Sequence, residues 1–113
     1  MEIYDVAPYI FVKDAVFGDR DFLYRYWGTA LTNLLGYEMS GKLASDHYTP
    51  DQSAMTIKGH MKFLKAGKPK LSKSRVFWAE KKDYLAYTGL LLPLDGASEP
   101  LQHLMMGFDF STA

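Results

Sequence analysis

The sequence predicts an α+β domain with five strands and one long helix, and three observations carry that reading. β-branched and aromatic residues crowd two early runs, Tyr9 to Val16 and Phe22 to Trp27. A capped amphipathic segment from Thr49 to Gly67 has the period and length of a helix. Three further strand-like runs follow it, at Ser72 to Ala79, Tyr84 to Leu94 and Leu101 to Phe110.

Length and composition fit one domain spanning 1–113, with a core from about 8 to 110. The 113 residues suffice for one hydrophobic core but not two, and a 48% hydrophobic, 15% aromatic content argues against disorder. Thirteen basic and thirteen acidic residues give no net charge, hence no global attraction to nucleic acid or anionic membrane. Basic residues do cluster at Lys58, Lys62, Lys65, Lys68, Lys70, Lys73 and Arg75, where a solvated helix face and loop is the plain reading. Cysteine is absent, which removes disulfides, thiolate zinc sites and cysteine nucleophiles. The first residues are acidic where a secretory signal would be basic, and no apolar run approaches the ~20 residues of a spanning helix. A soluble, cytoplasmic protein is the expectation.

Each element has its own signal. Pro8 precedes the first strand, and Gly18-Asp19-Arg20-Asp21 reads as the turn of a hairpin into the second. Gly28 marks a sharp turn, Thr29 offers a capping hydroxyl, and Gly36 can take the left-handed backbone that closes a short helix. Gly41 marks another turn. Tyr37 to Tyr48 lacks a lasting period and reads as turns with helical fragments, with Asp46-His47 in a loop. Thr49-Pro50-Asp51-Gln52 is a capping box with proline at the first helical position, and Gly67 and Pro69 stop the helix. Ala54, Ile57, Met61 and Leu64 form its apolar arc, extended by Thr56, His60 and Phe63, while its lysines face away. Both alternating sets of Tyr84 to Leu94 are largely apolar. Helices are expected over one sheet face and a partner subunit over the other.

In this order the residues resemble a known family. Phe-Leu-Tyr-Arg-Tyr-Trp-Gly-Thr (Phe22 to Thr29), then Gly36, then Met-Ser-Gly-Lys (Met39 to Lys42) is similar to a bacterial branch of the PAS sensory domains. That branch shows an aromatic-Tyr-Arg-x-x-Gly-Thr strand, a glycine and a Thr/Ser-Gly-Lys turn. Its later Leu-Leu-Pro-Leu strand has a match at Leu91 to Leu94, and the resemblance spans about Pro8 to Phe110. It implies a five-stranded antiparallel sheet, with short helices and one long helix packed on one face. It also implies a non-enzymatic role in signal transduction, by ligand binding or by dimerisation. Arg25, Gly28, Thr29, Gly36 and Gly41 are then structural motif residues, Arg25 as an ion pair or stacked guanidinium.

A pocket between the long helix and the sheet would be apolar with a few polar groups. Candidates for its lining are Tyr24, Tyr26, Thr56, His60, Phe63, Phe77, Tyr87, Met106 and Phe108, each of which is also ordinary core material. The family's cofactors can be checked against residues. Without cysteine, neither a flavin adduct nor a thioester-linked chromophore can form. The family's heme-ligating position matches Thr56, which cannot ligate, so heme is disfavoured although His60 lies one turn later. His47, His60 and His103 are too far apart in sequence for a helical metal site. The cofactor is therefore left open, and the ligand is a small apolar or aromatic molecule or none. The resemblance implies an output partner, such as a kinase, cyclase or DNA-binding domain, which these residues do not encode. Competing expectations are a pure dimerisation module, a small cone-shaped α+β enzyme, and a basic surface meeting nucleic acid or an acidic protein. The enzyme lacks an evident acid/base pair, Asp109 being the main carboxylate inside a strand.

Overall fold

Five strands form one antiparallel sheet in a computed structural model of the chain, which describes residues 7–18, 20–76, 82, 85–94 and 103–112. A 3-10 turn at Ala7–Tyr9 leads into β1 (Ile10–Val16), and β2 (Asp21–Trp27) returns beside it. Helices α1 (Thr29–Leu35), α2 (Ala44–His47) and α3 (Pro50–Ala66) follow, then β3 (Lys70–Arg75), β4 (Leu85–Leu94) and β5 (His103–Thr112). The order across the sheet is β2-β1-β5-β4-β3, with every neighbouring pair antiparallel. The sheet is open, with β2 and β3 at its edges and β5 in the middle. No helix among the described residues is long and apolar enough to cross a membrane.

The first hairpin departs from the expected turn. Phe17 and Gly18 both have positive φ, 57° and 63°, so the reversal begins at Phe17 and Asp21 already belongs to β2. Within the hairpin Val12 pairs with Tyr26 and Lys13 with Tyr24, which leaves Arg25 as the extra residue of a β-bulge. The bulge resets the in–out alternation. Phe22 and Tyr24 are buried, and the next buried residue is Trp27. Tyr26, expected inside on the parity of Tyr24, is 41% exposed, and its hydroxyl donates to the Ala7 carbonyl at 2.9 Å.

Gly28 serves a different purpose from a turn. Its backbone is extended (φ −66°, ψ 149°), a conformation open to any residue. A Cβ there would lie 2.1 Å from the Pro8 carbonyl oxygen, so glycine is needed for the close approach of the 3-10 turn. Gly28 is also the N-cap of α1, and no side chain caps that helix. Thr29 is its first residue, so the expected hydroxyl cap does not form. Gly36 (φ 89°) closes α1 by donating its N–H to the Thr32 carbonyl at 2.8 Å, and Gly41 (φ 77°) turns the chain toward α2. Asp46 and His47 lie in α2 and not in a loop.

The helix α3 carries both halves of its capping box. Gln52 N–H donates to Thr49 Oγ1 at 3.3 Å, and Thr49 N–H donates to Gln52 Oε1 at 3.4 Å. Its end is set by Gly67 (φ 68°), as the glycine and Pro69 predict. The buried set is Ser53, Met61, Phe63 and Leu64. Ala54, expected inside, is exposed. Its place is taken by Ser53, whose hydroxyl reaches the Ala44 and Tyr48 carbonyls, each at 3.3 Å, and so is satisfied in the interior. Lys58, Lys62 and Lys65 are exposed on the far side.

One face of the sheet carries the core: Phe11, Phe22, Tyr24, Trp27, Leu85, Tyr87, Leu91, Leu104 and Met106 cluster with Leu31, Leu35, Met61, Phe63 and Leu64 of the helices. The His60 ring of α3 lies 6.1 Å from Phe22 and 6.5 Å from Phe11, which sets the helix over this face. The strand after α3 begins earlier than expected, at Lys70, and ends at Arg75; Ala79, Phe77 and Tyr84 lie outside the described residues.

Candidate functional site

Between α3 and the sheet lies a partly open cavity of about 180 Å³. The helix presents Met55, Thr56, Gly59 and His60 to it, one turn apart along one side, and Tyr48 adds a wall just before the helix. The sheet closes it with Phe11, Tyr24, Trp27, Tyr87, Met106 and Phe108. Six expected lining residues thus meet here: Tyr24, Thr56, His60, Tyr87, Met106 and Phe108. Phe63 is buried in the core but does not line the cavity, and Tyr26 is turned outward by the bulge. Phe77 lies outside the described residues.

The walls are held by aromatic packing. Phe11 and Trp27 stack at 5.8 Å with 9° between their planes, and Tyr24 meets both edge-on at 5.4 and 5.5 Å. Phe108 bridges Phe11 at 5.6 Å and Tyr87 at 5.4 Å. Trp27 is fixed by its indole N–H, which donates to the Tyr37 carbonyl at 3.1 Å. Gly89 leaves room for Met106, whose Cε would stand 2.4 Å from a Cβ at that position.

Polar groups are few. The Tyr37 and Tyr48 hydroxyls share a hydrogen bond at 3.0 Å, and the Tyr24 hydroxyl lies close to that of Tyr48. Burial pushes the Tyr24 hydroxyl well above the usual phenol range, and contact with Tyr48 adds to this, so it stays protonated. Burial likewise raises Tyr48, against hydrogen bonds from Tyr37 and Tyr24. His60 is held well below the ordinary imidazole range, first by burial and then by the charges of Lys13 and Lys70. It is therefore neutral at pH 7, and its Nδ1 is buried with no hydrogen-bond partner among the described residues.

Lys13 is the group the sequence reading overlooked. It is fully buried on the core face of β1, and its Nζ also has no hydrogen-bond partner among the described residues. The Nζ lies over three rings, 4.3 Å from the centre of Phe22, 5.1 Å from Tyr24 and 5.3 Å from Phe11. Burial drives its pKa well below the ordinary amine value, and the charge of Asp21 partly opposes that. Asp21 is itself committed elsewhere, accepting from Phe22 N–H at 2.8 Å, from Ser45 N–H at 3.3 Å and from the Ser45 hydroxyl. Strand alternation carried the signal: Phe11 inside places Lys13 inside as well.

Arg25 lies away from the cavity, on the outer face. Its Nε donates to Asp14 Oδ2 at 2.6 Å, and the other carboxylate oxygen meets His103 Nδ1 at 2.6 Å. Partial burial pushes Asp14 up, but the bonds to His103 and Arg25 outweigh it and hold the carboxyl below its usual range. Nearby, Ile10, Leu71, Leu90, Leu92 and Met105 line a shallow apolar groove of about 380 Å³, with Leu71 62% and Leu90 43% exposed. Among the described residues no three His, Asp or Glu side chains converge as a metal site would require. No protein-family model matches the chain, and no curated protein matches it.

Proposed function

We propose that this chain is a PAS-type sensory module, non-enzymatic, whose cavity takes a small apolar or aromatic ligand and whose response is a change in self-association. The observation that carries this reading is the aromatic cavity between α3 and the core face of the sheet. Its size limits the occupant. About 180 Å³ falls below the ~300–1,000 Å³ typical of sites for drug-sized ligands, but cavities of ~150 Å³ hold a benzene-sized molecule. One ring or a short chain is the expected ligand. Among the described residues the lining contains no carboxylate.

Gly59→Leu tests the site. A Cβ at Gly59 meets nothing within 4 Å, so the new side chain extends into open space at the cavity wall. Native mass spectrometry of the purified protein is expected to show a bound small molecule in the wild type and none in the variant. Calorimetric melting of both should show that the variant is folded. A bare protein that also fails to bind any ring-sized probe removes the ligand reading.

The apolar outer groove supports a second reading, a homodimer formed through the sheet face, either alone or as the output of ligand binding.

A further inference from the structure

We propose that the ligand is an acid: a molecule about the size of one ring, carrying a carboxylate directed at the wall formed by Phe11, Tyr24 and His60, behind which Lys13 lies. This rests on the ligand-binding reading above and narrows it to a chemical class. The polar complement of the cavity favours a guest that accepts hydrogen bonds and bears negative charge. Among the described residues its lining holds hydroxyls and a neutral imidazole but no carboxylate to receive a cationic guest. His60 lines the space, and its enclosed Nδ1 lacks a partner among the described residues, so in the N–H tautomer a guest that reaches it meets an unused donor.

Lys13 supplies the charge. It does not line the cavity itself, but two of the three rings against its Nζ, those of Phe11 and Tyr24, do. Its amine is thus one ring behind the wall. Inside a protein the attraction between opposite charges falls only as the inverse of distance and is weakly screened, so contact is unnecessary. An unpaired buried amine favours an anion in either protonation state. An ammonium gains a counter-charge in addition to Asp21, and a neutral amine can take up a proton once the anion is in the cavity. Asp21 is the competing carboxylate: its charge already acts on the Lys13 amine, but its oxygens bond Phe22 and Ser45 and leave that amine without a hydrogen-bond partner among the described residues.

Three probes that share a ring and differ in charge test this: benzoate, benzyl alcohol and benzylamine, titrated at pH 7 and followed by protein NMR shifts of residues at the cavity. Benzoate is expected to bind about tenfold more tightly than benzyl alcohol, and benzylamine not at all. In Lys13→Met the advantage of benzoate should disappear while benzyl alcohol binds as before. Equal or tighter binding of benzyl alcohol or benzylamine by the wild type overturns the acid preference and leaves the cavity a neutral binding site. Failure of all three to bind overturns both the preference and the ligand reading beneath it. The wild-type series decides the matter even where Lys13→Met does not fold.

Discussion

His60 shows how one half-buried side chain with an enclosed ring nitrogen couples this fold to pH. Burial, reinforced by Lys13 and then Lys70, keeps its imidazole neutral well below the ordinary value. In the unfolded chain the same ring titrates near pH 6.5. Between these two values the unfolded state binds a proton that the folded state refuses, so stability falls as pH drops through about 6.5. The loss approaches ~1.4 kcal/mol per pH unit once the difference is fully developed. Urea midpoints at pH 7.5 and pH 5 should therefore diverge more for the wild type than for His60→Leu. His47, lowered by burial and by Lys42, contributes in the same direction and is common to both proteins. Asp14 has its effect below its ordinary carboxyl range and is silent in this window. Parallel pH profiles for the two proteins would refute the buried, neutral histidine.

Strands and helices differed in how far they could be read from residues. The α3 signals were local and consistent: a hydroxyl, a proline and a glutamine at fixed spacing before the helix, and a glycine after it. They were legible because each acts on backbone groups within one turn. Thr49→Ala removes the cap and is expected to cost about 1 kcal/mol, read as a lower urea midpoint with an unchanged slope. No loss would mean that packing of Ser53 and its neighbours, and not the cap, holds that end. In β2 the sequence is as plain, but alternation fails at Arg25, because the bulge exists only as a mismatch with β1. Two residues of one strand oppose one of the other, and nothing within Phe22 to Trp27 signals it. Hence Tyr26 lies outside and Trp27 inside, a cavity wall that strand parity does not predict. Lys13 was missed for another reason. Its position was legible by parity, but its chemistry argued for solvent, and only the ring cluster over its Nζ explains the burial. The sequence marks Gly28 as special, but the cause, the Pro8 carbonyl oxygen 2.1 Å from a would-be Cβ, joins elements that are twenty residues apart.

At the scale of the whole molecule, the two faces of the sheet divide the work. One is covered by helices and encloses the cavity; the other presents Leu71, Leu90 and Leu92 beside the Arg25–Asp14–His103 cluster. A stable dimer through that second face would bury roughly 800 Å² per partner, and its centre would be apolar. Sedimentation is expected to give a dimer for the wild type and a monomer for Leu90→Lys, whose charge would be desolvated at the contact. A wild type that stays monomeric at high concentration rules out self-association through this surface. The strand order has a consequence for biosynthesis. The β1–β2 and β3–β4 pairs can each form as they leave the ribosome, but neither touches the other until β5 arrives and inserts between them. Until then both carry a naked inner border, so the nascent protein is most exposed to sticking or to chaperone capture just before that middle ribbon is translated.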